Sequence, residues 1–283
     1  MFQAIMTAPC VEMRNLEHLF IELTASNCNL KCKHCYLEFD PYKKIKDFIA
    51  IEKIKKALYE VKNEPVKSIY LTGGEPMLHP HFNNILRLCL RKSSVTVLTN
   101  GMTINDKKAR FLRKVEDETS NELIFKISID HYDELENDKL RGRGSYRKVI
   151  FAIQSLVKYE FNPVLSIVNI YNTDEKELKA DFKAAFAKMG LELEDINFSI
   201  IPFIDKNLET DEYVFEPECA RLDCSASRVL TANGVYTCCF MTKDERGRSG
   251  ADFTDYSKKN YVETSICHQC ASFGRHLLVN SWM

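Results

Sequence analysis

Cys28-Asn-Leu-Lys-Cys32-Lys-His-Cys35 sets three thiols at intervals of three and two residues, close enough for one loop to wrap a small inorganic centre. A structural zinc ion takes four protein ligands and a catalytic one three plus water. A [4Fe–4S] cube has four irons, so three thiolates leave one iron open to a substrate or cofactor. A second group follows far downstream. Cys224 and the pair Cys238-Cys239 flank Asn233-Gly234, a hairpin turn signal, and Cys267-His-Gln-Cys270 comes later. Two thiols from the hairpin and two from the C-x-x-C give four ligands and a closed site, which a zinc ribbon would satisfy. Cys219 stands apart as a candidate catalytic thiol able to donate a hydrogen atom, a substitute ligand, or a buried bystander. Cys89 shares an apolar helix face with Phe82, Ile85 and Leu86 and reads as core.

Other chemistry-bearing residues sit where apolar runs give way to turns. Leu71-Thr-Gly73-Gly74-Glu75-Pro76 pairs two glycines, which let backbone approach a ligand, with a carboxylate able to accept from an ammonium group. A plain strand-to-loop turn is the alternative. Asn100 lies in the turn Thr99-Asn-Gly101. Ser128 and Asp130 fall on one face of a strand end, where capping is an equal reading. Arg141 belongs to a loop that also carries Arg143 and Arg147, and Asn169 ends the run Ser166-Ile-Val-Asn169.

The elements that must position these residues are legible as alternation. β-rich runs cover His18–Ser26, Lys67–Gly73, Ser94–Asn100, Leu123–Asp130, Pro163–Ile170 and Ile196–Phe203. Helical spacing separates them, as in Ile51, Ile54, Leu58 and Val61, or Leu178, Phe182, Phe186 and Met189. Asp47, Asn105 and Thr173 are expected N-caps and Gly190 a helix stop. Six strands alternating with helices imply parallel pairing through right-handed crossovers, in an open sheet or a complete or partial barrel. The cysteine triad, Gly-Gly-Glu-Pro, Asn100, Ser128 with Asp130, and Asn169 then occupy the carboxyl ends of strands one to five, where ligands of parallel α/β folds bind.

Residues 205 to 218 hold six acidic residues and one lysine, which reads as an exposed linker. The expected division is an extension over 1–17, a core over 18–209 and a Cys-rich domain over 210–283. The 11 cysteines are an odd count, and residues 1 to 17 lack the layout of a signal peptide. A reduced, cytoplasmic chain with metal ligands rather than disulfides is the expectation. With 39 Lys+Arg against 40 Asp+Glu, no broad basic face for nucleic acid is expected. The apolar runs are too short to span a bilayer, so no membrane partner is expected.

The triad followed by Tyr36, after a strand ending Leu23-Thr-Ala-Ser26, resembles the signature of the radical S-adenosylmethionine (SAM) superfamily. The resemblance covers residues 18 to 203 as an ordered set of motifs. It implies an α/β fold, a partial (β/α)6 barrel, in which Cys28, Cys32 and Cys35 hold a [4Fe–4S] cluster whose open iron chelates SAM. An electron from the cluster would then release a 5′-deoxyadenosyl radical that abstracts hydrogen. Gly73, Gly74, Glu75 and Pro76 match the motif that holds the SAM amino group, and Asn100 a tripeptide near SAM. Ser128 and Asp130 would meet the ribose or the methionine end, and Asn169 the adenosine. Asp138 to Tyr146 resembles a stretch of peptide-modifying members, which makes Arg141 a partner for the SAM carboxylate.

The C-terminal part, with its β-hairpin, resembles the twitch domain, a shortened relative of the SPASM domain. That implies one auxiliary [4Fe–4S] cluster on Cys224, Cys238 or Cys239, Cys267 and Cys270. The run Gly234-Val-Tyr-Thr-Cys238 favours Cys238 by resemblance, while the count from Gly favours Cys239. The further C-x-x-x-x-x-C-x-x-x-C run of a full SPASM domain is absent. The resemblance implies hydrogen abstraction from a peptide in natural-product maturation, or else oxidation of a small molecule. Flavodoxin or ferredoxin would supply the electron. With 17 residues before the first strand, no separate leader-peptide-binding domain is expected. A non-catalytic iron–sulfur carrier or a zinc-binding module are the rivals of another class.

Overall fold

The computed structural model describes residues 10–37, 47–205, 208, 222–261 and 264–273. A short strand, β1 (Cys10–Glu12), precedes β2 (His18–Glu22). Then come α1 (Ile51–Glu60), β3 (Ser68–Thr72), α2 (Phe82–Leu90), β4 (Ser94–Thr99), α3 (Asp106–Glu116) and β5 (Leu123–Ser128). Two helices follow, α4 (Glu134–Arg141) and α5 (Ser145–Lys158), then β6 (Val164–Asn169), α6 (Glu175–Ala187) and β7 (Phe198–Pro202). The C-terminal part adds β8 (Ser227–Thr231), β9 (Gly234–Tyr236), β10 (Arg248–Gly250), β11 (Lys259–Tyr261) and α7 (Ser265–Ser272).

The six expected strands are β2 to β7, each inside its expected bounds and each parallel to its neighbour. They belong to a nine-stranded sheet ordered β10-β9-β8-β2-β3-β4-β5-β6-β7. Alternation assigns the two faces. Leu123, Phe125 and Ile127 of β5 enter the main core with Leu86, Leu112, Ile153 and Phe182 of the helices. Lys126 and Ser128 turn to the opposite face and line a cavity. That face also carries a second apolar cluster of Phe20, Tyr70, Val229, Tyr236 and Cys239. Helices on one side and a hollow lined by both apolar and polar residues on the other make this the partial-barrel α/β fold.

Helix starts follow the capping rules with two local changes. Asn105 caps α3 by accepting from the Lys108 N–H at 2.9 Å. Asp47 does not cap α1, which begins after Ala50; its carboxylate instead accepts from Thr24 Oγ1 at 2.6 Å. Thr173 yields the α6 cap to Asp174, which accepts from the N–H groups of Lys176 and Glu177, because a carboxylate serves two orphan donors and the helix dipole together. Gly190 takes φ +72° just beyond α6, the left-handed conformation that ends helices.

The expected hairpin around Asn233-Gly234 is β8–β9. Its first strand pairs in parallel with β2, so the sheet continues across the chain position expected to separate two domains; residues 209–221 themselves lie outside the described set. β1 pairs with β11 in a separate two-stranded ribbon. Among the described residues no helix is long and apolar enough to cross a membrane.

Candidate active site

The loop after β2 carries the triad, and its path is set by the loop after β3. The N–H of Gly74 donates to the Thr24 carbonyl at 2.8 Å and that of Glu75 to the Asn27 carbonyl at 2.8 Å. A methyl group on Gly73 would stand 2.3 Å from the Thr24 oxygen, and one on Gly74 2.3 Å from the Asn27 oxygen. Gly73 also adopts φ +126°. The paired glycines thus let the two loops touch, as well as bordering the cavity.

That cavity, of about 200 Å³, is lined by Cys28, Cys32 and Cys35 together with Gly73, Gly74, Asn100, Ser128 and Arg141. The thiols border a space rather than converge on a point. Among the described residues no three His, Cys, Asp or Glu side chains are arranged to hold a single metal ion. Asn100 Nδ2 donates to Cys28 Sγ at 3.6 Å and to Asn29 Oδ1 at 2.7 Å. The Leu30 N–H also donates to Cys28 Sγ, at 3.5 Å. Burial pushes the Cys28 thiol up to about 12, and raises Cys32 as well.

Glu75 is wholly buried and does not line the cavity. Its oxygens accept from the N–H groups of Met77 at 3.0 Å and Asn100 at 2.8 Å, and from Thr99 Oγ1 at 2.8 Å. The acid therefore clamps the end of β4 to the loop after β3. Burial outweighs those bonds and raises its pKa above the ordinary carboxylate value. Pro76 opens a buried one-turn 3-10 segment behind it.

Asp130 likewise turns inward. Its Oδ2 receives Arg141 Nη1 at 2.6 Å and lies 3.2 Å from His34 Nε2, while Oδ1 accepts from the Val168 N–H at 3.1 Å. Arg141 is held buried at the cavity wall with its Nε unpartnered, and His34 lines the same cavity with a buried, unpartnered Nδ1. Burial lowers the His34 pKa below the ordinary imidazole value, against the opposing pull of Asp130. Arg147, by contrast, is exposed and paired with Glu134 at 2.7 Å. Asn169 is spent locally, bonded to the backbone of Thr173 at both ends of its amide. It borders a second cavity of about 180 Å³ with His131 and Glu177.

Two cavity residues, Lys126 and Phe240, escaped the sequence reading. Lys126 is 2% exposed and donates to Ser199 Oγ at 3.3 Å, and burial pushes its pKa down to about 8. A lone lysine on the inward phase of an apolar strand was the available signal. Tyr36 and Phe240 meet edge to face, 5.0 Å between centroids, and both line the cavity.

Downstream, Cys224, Cys267 and Cys270 pack around Val11 and Leu222. Cys238 interacts with all three, whereas Cys239 lies in the apolar cluster with Phe20 and Tyr70. Burial raises both thiols well above the usual value. Thr264 Oγ1 lies 3.2 Å from Cys267 Sγ. Cys219 lies outside the described residues.

A family model described as the radical SAM superfamily matches residues 23–185. The chain belongs to the radical SAM superfamily. It is an enzyme of a family that uses a [4Fe–4S] cluster and SAM. It is 35% identical over 141 residues to the antilisterial bacteriocin subtilosin biosynthesis protein AlbA of Bacillus subtilis, covering 49% of this chain and 30% of that protein. It is 31% identical over 179 residues to a GTP 3′,8-cyclase of Microcystis aeruginosa, covering 59% and 52%. A cysteine-type anaerobic sulfatase-maturating enzyme of Clostridium novyi is 30% identical over 178 residues, covering 56% and 45%. The chain thus spans about a third to a half of the length of these relatives. In fold it is similar to anSMEcpe with bound AdoMet, at TM-score 0.64 and 18% identity over 91% of this chain and 83% of that one. It is also similar to Streptococcus suis SuiB bound to S-adenosylmethionine, at TM-score 0.63 and 16% identity over 84% and 64%.

The cavity residues fit the family's cofactors. Three thiols surround a space, and two buried nitrogen atoms beside them, Arg141 Nε and His34 Nδ1, have no protein partner. Such orphans are costly unless a ligand completes them.

Proposed function

We propose that this enzyme cleaves SAM reductively and abstracts a hydrogen atom from a peptide substrate, in the manner of enzymes that mature ribosomally made peptides. The observation that carries the reading is the meeting of three thiols with the unpartnered Arg141 and His34 nitrogens on one cavity. Cys28, Cys32 and Cys35 would hold three irons of the cluster. When bound, the cluster and SAM supply a 5′-deoxyadenosyl radical for hydrogen abstraction. Asn100 would donate to the Cys28 sulfur, as it does here at 3.6 Å, and amide bonds to sulfur tune cluster potential. Arg141, aimed by Asp130, would receive the SAM carboxylate, and Ser128 a polar group of the same ligand. Tyr36, Ile201, Phe203 and Phe240 would exclude water from the reacting space.

The peptide assignment is supported by the relatives named for bacteriocin biosynthesis and sulfatase maturation. The cyclase relative supports a small-molecule substrate instead. We further assign residues 210–283 to a twitch-like domain, with one auxiliary [4Fe–4S] cluster on Cys224, Cys238, Cys267 and Cys270. Flavodoxin or ferredoxin is the proposed electron donor and the cytoplasm the proposed location. Anaerobic reconstitution followed by SAM and dithionite tests the core of the reading. Absence of 5′-deoxyadenosine from iron-replete protein sinks it. Deuterium transfer from a labelled peptide encoded beside the gene, and none from labelled nucleotides, supports the peptide substrate.

A further inference from the structure

Arg228 is 0% exposed, one of the largest wholly buried side chains of the described protein. Its register partner on β2 is Leu19. Nη1 donates to the carbonyl oxygens of Cys224 at 3.0 Å and Ser227 at 2.7 Å, and Nη2 to that of Ser257 at 3.0 Å. The Tyr256 ring lies 5.9 Å away. Nε is buried with no partner. Every bond is to a neutral carbonyl, and among the described residues no carboxylate forms an ion pair with this guanidinium. The neighbouring Asp223 interacts with Cys270 and Lys126. Among the described residues, a full positive charge is therefore desolvated with no fixed counter-charge, an arrangement that is strongly unfavourable on its own.

The charge is aimed at the four-cysteine set. Its Nη1 holds the carbonyl of Cys224, which also accepts from Asn260 Nδ2 at 3.1 Å, and the guanidinium interacts with the thiols of Cys224 and Cys238. Four thiolates around a [4Fe–4S] core carry about two net negative charges, the counter-charge that the described carboxylates do not provide. We propose that Arg228 is the fixed counter-charge of the group held by Cys224, Cys238, Cys267 and Cys270, and that it raises the reduction potential and the retention of that group. This rests on the reading of those four cysteines as cluster ligands. Arg228 is a positioning and electrostatic residue, since its contacts run through the ligands' backbone.

The test uses the full chain with Cys28, Cys32 and Cys35 replaced by Ala, so that one cluster remains. In an EPR-monitored redox titration, Arg228→Gln makes reduction at least tenfold less favourable, a shift of about 59 mV to more negative potential for one electron. Arg228→Lys recovers most of it. Iron loss to a chelator becomes at least tenfold faster in the Gln variant. In the iron-free chain the melting temperature of Arg228→Gln equals or exceeds that of its parent, because a stranded charge has gone. Should Gln prevent folding, Arg228→Met keeps the packing against Tyr256 and gives the same readout. A reduction equilibrium within twofold of the parent's, about 18 mV for one electron, with iron bound and the iron-free chain destabilised, reduces Arg228 to a structural tie and overturns the proposal. A parent that binds no iron at all overturns the four-cysteine reading, and this inference with it.

Discussion

Arg141 and Asp130 form a buried ion pair of 2.6 Å that joins the end of α4 to the loop after β5 at the cysteine cavity. His34 Nε2 touches the same carboxylate oxygen, 3.2 Å away. Removing one partner strands the other. Asp130→Ala is expected to cost about 3–5 kcal/mol of stability, read by urea unfolding, and to abolish 5′-deoxyadenosine formation. The double replacement Asp130→Asn with Arg141→Met recovers most of the stability and none of the cleavage. Recovered cleavage would show that Arg141 does not meet SAM.

Cys238 and Cys239 are expected to separate cleanly. Cys238→Ser lowers iron in reconstituted protein from about eight to about four per chain, whereas Cys239→Ser leaves the count unchanged and costs about 1 kcal/mol from the apolar cluster around Phe20. Equal iron loss in both variants would contradict the placement.

Glu75 acts on the cavity at one remove, through the Asn100 N–H and Thr99. Glu75→Gln replaces an acceptor oxygen by a donor NH2 group facing a donor, a cost of about 1–3 kcal/mol. The expected result is a lower melting temperature with weakened SAM binding by calorimetry. Weakened binding with stability intact would mean that Glu75 itself contacts SAM.

Gly73→Ala and Gly74→Ala each drive a methyl group into backbone oxygen. Neither oxygen can retreat without breaking its bond between the two loops. Each substitution is expected to cost about 2–3 kcal/mol, with iron content falling in step because the triad loop loses its support.

Cys89 supplies a pH test away from the cavity. It is wholly buried, and burial pushes its thiol up to about 12. Below the unfolded thiol value of about 8.5 both states are protonated, and its contribution to stability is complete. As pH rises from there towards about 12, the unfolded chain ionises first, and up to about 1.4 kcal/mol is lost per pH unit. Cys89→Ala, itself costing about 1–2 kcal/mol at neutral pH, is expected to flatten that alkaline decline. Parallel stability curves for the two proteins would refute the assignment.

What the residues disclosed in advance was local. Each of β2 to β7 is an apolar run closed by turn chemistry, and Asn233-Gly234 marks its hairpin without tertiary help. The orientation of Glu75 was hidden, because a glutamate beside paired glycines reads equally well as a ligand arm or a buried clamp. Counting from Gly234 favours Cys239 while the run's own resemblance favours Cys238, so the sequence leaves the two open. Cys238 is extended, at φ −155° and ψ 168°, so adjacent side chains project to opposite sides, and only packing says which side holds the other thiols. Lys126 sits in Leu-Ile-Phe-Lys-Ile-Ser, where a lysine ordinarily marks the solvent phase. Here the hollow of the barrel replaces solvent. The pairing of β8 with β2 has no local signature, since nothing near residue 227 names a partner near residue 18.

That pairing has a consequence for how the molecule comes into being. On the ribosome, β2 borders β3 alone until residue 231 has been made, and the loop carrying the first cysteines hangs from an unguarded edge throughout. Partners so far apart in the chain also close slowly. Sealing of the sheet is thus a late event in biosynthesis, and nascent chains released before β8 present an open edge to one another.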